Sequence, residues 1–237
     1  MTAMKPTLIA SREDWLSARK ALLEQEKELT RKKDEITRLR QSLPWVPLET
    51  SYVFQSDKDE VSLEDLFAGR EQLIIYHFMF GPKWKAGCVS CSFWADGFNG
   101  LDPHLAARDI AFAVVSSAPM SMITPFKERM DWDFTWVSSN GTGFNRDFDV
   151  GFPEDMPADE PIIYNFRQLE KAPHDEMPGV SVFAKGEDGT IYHTYSAYSR
   201  GLDSTNAAYT LMDLTPMGRN EPTSGNPMAW VRHHDAY

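Results

Sequence analysis

The chain is predicted to form a mixed α/β fold, a central sheet flanked by helices, on three features of its sequence. Two apolar runs, Leu73-Ile74-Ile75-Tyr76-His77-Phe78-Met79-Phe80 and Ile110-Ala111-Phe112-Ala113-Val114-Val115, are continuous rather than alternating, as expected for strands covered on both faces. Helix-forming stretches follow each run, which gives the order β-α-β-α-β. After a long connection come a β-hairpin and a last helix, so the parallel part precedes an antiparallel one.

The elements follow in order. Residues 11–43 are charged, nearly free of Pro and Gly, and rich in helix formers, with apolar residues recurring every seven at Trp15, Leu22, Leu29, Ile36 and Leu43. The companion positions Ala18, Gln25 and Lys32 are poor for a coiled coil and only Leu39 is good. An amphipathic helix laid against its own domain is therefore expected, with a homodimer-forming arm as the alternative. Pro44 and Pro47 end it, so residues 1–47 read as an N-terminal helical extension. Residues 48–214 form the main domain. It starts with a strand at Tyr52-Val53-Phe54 and a helical turn over Ser62–Phe67, closed by Gly69. Strand 73–80 leads to a helix running to about Asp96, weakened afterwards by Gly97 and Gly100, with a second piece over 101–108. Strand 110–115 is followed by a helix over 121–130, in whose first turn Pro125 is expected. Phe134-Thr135-Trp136-Val137 is the next strand, 141–160 is turn-rich, and Ile162-Ile163-Tyr164-Asn165-Phe166 starts a late strand. Asp188-Gly189 between the β-prone runs 180–185 and 190–195 signals a hairpin. By alternation, Tyr192 and Thr194 face one way and His193 and Tyr195 the other. Residues 203–214 close the domain as a helix. Residues 215–237 read as a C-terminal extension, and its Arg232-His233-His234-Asp235 segment is expected to be an exposed terminus rather than a cover over the site.

Composition narrows the function. The apolar share is 42%, with 14 Phe, 7 Trp and 8 Tyr, ample for one sizeable core. A net charge of -11 argues against nucleic acid and anionic membrane as partners, since both need clustered Lys and Arg. The first residues lack the apolar stretch of a signal peptide and no run reaches transmembrane length, so a cytoplasmic location is expected. In that reducing compartment a cysteine pair reads as catalytic before it reads as a staple.

The chain has 2 cysteines, Cys88 and Cys91, in Gly87-Cys88-Val89-Ser90-Cys91-Ser92-Phe93-Trp94 directly after the first apolar run. Random placement gives this spacing on the order of one time in a hundred, and C-x-x-C beside a strand–helix unit is a redox signature. The first turn of a helix offers unpaired N–H groups that stabilise a thiolate. Cys88 is thus the candidate nucleophile, with Lys83 and Lys85 adding positive charge, and Cys91 the candidate resolving thiol. The bland alternatives are inert buried cysteines or half of a metal site. Zinc would need two well-spaced histidines, and His233-His234 are adjacent. Phe93 and Trp94 read as ordinary packing, while Trp84 in its loop is a candidate substrate-binding rim. His77 reads as a satisfied core histidine, and Tyr192, His193, Tyr195, Tyr198 and Arg200 as a sheet face.

This order of elements is the thioredoxin-like plan, which places a dithiol at the carboxyl end of a central strand. More closely, the chain resembles the bacterial DUF899 family of thioredoxin-like proteins. The resemblance runs through Tyr76-His77-Phe78-Met79-Phe80-Gly81-Pro82, the dithiol segment 87–96, Phe134-Thr135-Trp136-Val137-Ser138-Ser139, Pro178-Gly179-Val180-Ser181-Val182-Phe183, His193-Thr194-Tyr195-Ser196, Arg200-Gly201-Leu202-Asp203, Asp213-Leu214-Thr215-Pro216 and Trp230-Val231-Arg232-His233-His234-Asp235. It implies a thioredoxin-like fold and a redox dithiol at Cys88 and Cys91. It also implies a cis Pro178 opposite the dithiol, with the backbone at Met177 free to pair with an extended substrate. The departures from thioredoxin itself are a Val-Ser dipeptide inside the pair and Gly87, not Trp, before it. The peroxiredoxin pattern of Thr or Ser three before the reactive cysteine is replaced by Lys85.

The expected function is a thiol–disulfide oxidoreductase without cofactor or metal. Its partners would be a disulfide-containing protein or small molecule and a thiol reductant. A redox-sensing or interaction protein without turnover and a thiol peroxidase are the alternatives.

Overall fold

A computed structural model describes residues 8–153, 156–157 and 159–237. The chain divides into two compact units, Met1–Pro44 and Trp45–Tyr237.

The first unit carries helix α1 (Arg12–Gln41). Ser11 caps it by accepting the Asp14 N–H at 3.1 Å, Glu13 and Asp14 lie in its first turn, and Arg38 and Arg40 in its last, all in accord with the helix dipole. None of its residues is buried.

The second unit runs through strands β1 (Val46–Pro47), β2 (Val53–Gln55), β3 (Glu60–Ser62) and β4 (Gln72–His77), then helices α2 (Val89–Ala95) and α3 (Asp102–Ala106). Strand β5 (Ile110–Ser116), helix α4 (Met120–Arg129), strand β6 (Thr135–Ser138) and the short helix α5 (Phe144–Asp147) follow. Next come β7 (Ile162–Tyr164), β8 (Arg167–Leu169), β9 (Gly179–Lys185), β10 (Ile191–Tyr198) and α6 (Ala207–Met212). Eight strands form one sheet in the order β1-β10-β9-β4-β5-β6-β2-β3. Strands β4, β5 and β6 are parallel, and β9 joins β4 antiparallel, with His77 opposite Gly179. This is the thioredoxin-like topology, a parallel β-α-β unit extended by an antiparallel hairpin on the other side of its first strand.

Strict alternation along β4 explains how one strand serves two cores. Tyr76 joins Phe78, Trp94, Phe126 and Trp136 on the face covered by α2 and α4. Leu73 and Ile75 join Phe54, Phe67, Phe144 and Phe183 on the other. Replacing one of these fully buried rings by Ala would cost about 3–5 kcal/mol. Among the described residues no helix is long and apolar enough to cross a membrane.

The late strand expected from Ile162 is β7, which pairs with β8 in a separate hairpin. Three sequence expectations need correction here. Pro125 lies inside α4, not in its first turn. Pro125, and Ser121, whose carbonyl loses that N–H as a partner, are both exposed, so the break lies on the outer face of the helix. His193 and Tyr195 do not share a face, because a bulge between them puts Tyr195 opposite Val182 while His193 stays opposite Phe183. His193 packs on Phe148 and Phe183, and Tyr195 on the core beneath α2.

The C-terminal segment is the third: Arg232, His234 and Asp235 are exposed, as expected, but the segment is held in place by contacts. Val231 is buried, Trp230 packs against Phe93 with ring centroids 5.6 Å apart, and Asp235 takes two 2.8 Å hydrogen bonds from Arg129. His234 sits 2.6 Å from the carboxylate of Asp96, beyond the end of α2. The segment is not a free terminus; its aromatic and charged residues find partners on α2, α4 and α6.

Candidate active site

The site begins with the chain leaving β4. Gly87 is packed so tightly that a Cβ there would lie 2.7 Å from the Phe78 ring and 2.6 Å from that of Phe126, so a larger residue would force those rings to shift. Its carbonyl accepts a 3.0 Å hydrogen bond from Nε2 of His233, and the next N–H, of Cys88, donates to the Met79 carbonyl at 3.0 Å. These restraints set Cys88 in the N-cap position of α2, with Cys91 in the first turn.

The two thiols are free and lie in different surroundings. Cys88 is half-buried, and its pKa is lowered to about 7. The largest cause is a hydrogen bond from Cys91, followed on the lowering side by the backbone N–H groups of Cys91 and Ser90; burial and the charge of Glu176 oppose it. The partner thiol and the N–H groups of the first turn lead the lowering, and Lys83 and Lys85, expected to help, are not among its main causes. Cys91 is 2% exposed, and burial pushes its thiol well up, so it keeps its proton and donates it toward Cys88. Its sulfur faces the Met79 N–H and the Tyr76 hydroxyl, which would favour its thiolate once the proton departs. Tyr76 is itself held neutral by burial and by the cysteines beside it.

Cys88 and Cys91 line a cavity of about 200 Å³ together with Pro178, which comes from the start of β9. Tyr76, Met79, Trp94, Leu202 and Met228 supply most of the remaining apolar wall. Arg200 and Asp203 are also on it and pair with each other at 3.1 Å, while Arg219 contacts the same oxygen, Oδ2 of Asp203, at 3.0 Å.

The other predicted site residues fall elsewhere. Trp84 turns away from the cavity to donate its indole N–H to Asp175 at 2.9 Å. Met177 packs with Val150, Phe152, Tyr164 and Tyr198, and its N–H is spent on the Val150 carbonyl at 2.9 Å. It is therefore not the free backbone donor expected for an extended substrate. The expectation of a cis Pro178 is not met either: among the described residues no peptide bond is cis. With Met177 tied to Val150 and the Pro178 carbonyl accepting from the Tyr164 hydroxyl at 2.9 Å, the chain enters β9 in the ordinary trans form.

A buried polar chain lies behind the site. Glu176, 4% exposed, accepts from the N–H groups of Phe80 and Ser117 and from the Asn145 amide, at 2.7, 3.1 and 2.8 Å. Burial raises its pKa to about 7. Asn145 meets Nδ1 of His77, whose Nε2 contacts Ser181 at 2.9 Å; His77 is pushed down to about 4 by burial and is a satisfied core residue. Among the described residues no group of three or more His, Cys, Asp or Glu is placed to hold a metal ion.

Sequence reasoning missed Tyr76, Met79, Met228 and Glu176. The first had a signal: alternation places Tyr76 on the strand face that a helix following the strand must cover. The others are set by long-range folding.

The model of a family described as "Bacterial protein of unknown function (DUF899)" matches residues 4–237. No curated protein matches the chain. Among solved structures, the chain is similar to peroxidoxin BcpB from Mycobacterium tuberculosis, at 13% identity over 73% of this chain and 97% of that one, with a TM-score of 0.44. A thiol:disulfide interchange protein from Bacteroides sp. is similar at 13% identity over 75% and 95%, also at 0.44. Peroxiredoxin Q of Xanthomonas campestris is similar at 18% identity over 70% and 93%, at 0.42.

Proposed function

The chain belongs to the DUF899 family, and we propose that it is a thiol–disulfide oxidoreductase working through Cys88 and Cys91. One observation carries the reading. A thiol lowered to about 7 stands at a helix N-terminus on the wall of a cavity, and a second, fully buried thiol donates a hydrogen bond to it. Near neutral pH about half of Cys88 is thiolate, the attacking species in disulfide exchange. Cys91 stays protonated and protected until a mixed disulfide forms on Cys88. That step removes the negative charge on Cys88 that opposes ionisation of Cys91. Cys91 then attacks the Cys88 sulfur and releases the product.

The test is turnover of a model disulfide by the reduced protein, compared with a free dithiol at equal concentration. Acceleration over the free dithiol is expected, with Cys88→Ser inert and Cys91→Ser accumulating a mixed disulfide. A rate no greater than that of the free dithiol would reject the reading and leave a redox-sensing role; consumption of peroxide with a thiol reductant, but not of disulfides, would make it a peroxidase.

A further inference from the structure

On the reading of Cys88 and Cys91 as an exchanging pair, we infer that the substrate is a small, uncharged, apolar disulfide whose one half sits in the cavity beside Cys88. Three observations carry this. The cavity is about 200 Å³ and its wall is mostly Tyr76, Met79, Trp94, Pro178, Leu202 and Met228. A cavity of about 150 Å³ with such a lining takes a benzene ring, so this one has room for roughly eight non-hydrogen atoms. The charges at the wall offset one another: Arg200, 86% exposed, and Arg219 both contact Oδ2 of Asp203. Among the described residues the one cation lining that wall, Arg200, already faces Asp203, and the chain's net charge of -11 opposes the approach of an anionic disulfide.

The third observation excludes an extended polypeptide as the favoured ligand. A peptide docks beside such a dithiol by pairing its backbone with an open strand edge or loop. Here Met177 spends its N–H on Val150, Pro178 has none, and the Pro178 carbonyl accepts from Tyr164. Apolar contact with one half of a small molecule is what the wall offers instead.

The exchange balances as follows. The Cys88 thiolate attacks one sulfur of R–S–S–R, the substrate S–S bond breaks, and one RS⁻ leaves and takes a proton from water. Cys91 loses its proton to solvent and attacks the Cys88 sulfur; the Cys88–S–R bond breaks and the second RS⁻ leaves. Two electrons pass from the dithiol to the substrate, and an external thiol reductant restores the protein.

The full chain, reduced with dithiothreitol and desalted, is mixed with dipropyl disulfide, oxidised glutathione, insulin or cumene hydroperoxide. Formation of the Cys88–Cys91 disulfide is followed by quenched mass spectrometry, and each rate is divided by that of free dithiothreitol with the same oxidant. Dipropyl disulfide is expected to give a normalised rate at least tenfold above glutathione disulfide and insulin. Met228→Trp, which fills the cavity from the C-terminal segment, is expected to lower the dipropyl rate at least tenfold, with the pH midpoint of Cys88 alkylation reporting an intact thiol. Met228→Ala, which enlarges the cavity, is expected to shift preference toward diphenyl disulfide. Equal normalised rates for all disulfides, or a preference for glutathione disulfide or insulin, would overturn the substrate class while leaving the exchange reaction standing. Rates for every disulfide at the free-dithiol level would instead reject the exchange reading itself. A preference for cumene hydroperoxide would overturn the inference in favour of an apolar peroxide.

Discussion

Replacing Cys91 with Ala should make Cys88 a weaker acid and reverse its reactivity across pH. The hydrogen bond from Cys91 is the largest cause that lowers Cys88 to about 7, ahead of the N–H groups of α2. A hydrogen bond to a charged group is worth about 1.5–3 kcal/mol, and one pKa unit is about 1.4 kcal/mol, so its loss raises Cys88 by roughly one to two units. At pH 7 the thiolate fraction then falls from about half to about 1–9%, a drop of roughly 5- to 50-fold. A thiolate of higher pKa is intrinsically more nucleophilic, by roughly 3- to 8-fold for that change. The net expectation is alkylation by iodoacetamide about 2- to 6-fold slower than wild type at pH 7, and faster than wild type above about pH 8. Cys91→Ser, which keeps an O–H donor, should stay close to wild type at both ends. Stopped alkylation read by mass spectrometry, with thiolate absorbance as a second probe, measures all three proteins. Superimposable pH profiles for wild type and Cys91→Ala would refute the claim that the partner thiol sets the acidity of Cys88.

Three further expectations rest on other contacts. Gly87→Ala forces a methyl into the Phe78 and Phe126 rings and should destabilise the protein by about 1–3 kcal/mol, seen as a lower denaturant midpoint; an unchanged midpoint would mean the rings yield freely. His233→Ala removes a donor to Gly87 worth about 0.5–1.5 kcal/mol and should raise the alkylation midpoint of Cys88, while His233→Gln restores it; identical midpoints in all three would deny His233 a positioning role. The third concerns pH. Glu176 is raised from 4.5 to about 7, so its contribution is present below pH 4.5 and lost as pH rises through 7, about 3 kcal/mol in all. His77, lowered from 6.5 to about 4, and His193, also lowered by burial, act oppositely, their contribution being present above pH 6.5 and lost on acidification. Wild-type stability between pH 4.5 and 6.5 should therefore vary little, whereas Glu176→Gln should lose stability steadily as pH falls over that range; parallel curves from urea titrations would contradict this.

The parts of the fold written in short stretches of sequence could be read from it. The unbroken apolar run before the dithiol marks β4 as a central strand, and Asp188-Gly189 marks the hairpin, where Gly189 has φ +83°, a backbone conformation that suits glycine. The placement of Cys88 at the head of α2 follows from the same stretch. What was hidden depends on contacts between distant residues. Nothing near Thr194 announces a bulge that separates His193 from Tyr195, since the register is set by the partner strand. Pro178 was read by analogy of position, and its geometry is instead fixed by Val150 and Tyr164, which lie far away in the chain. Trp84 looked like a rim residue because its loop is short and charged, yet an acid 91 residues further on claims its indole N–H.

The grip of His233 on Gly87 spans 146 residues, and this separation has a consequence for biosynthesis. A ribosome adding ~5–20 residues per second needs roughly 7–30 s to travel from one to the other. Throughout that interval the turn ahead of Cys88 lacks the contact that later fixes its carbonyl. The geometry at the head of α2 is thus completed only once residue 233 has been made, and no earlier stretch of the nascent chain can finish it alone.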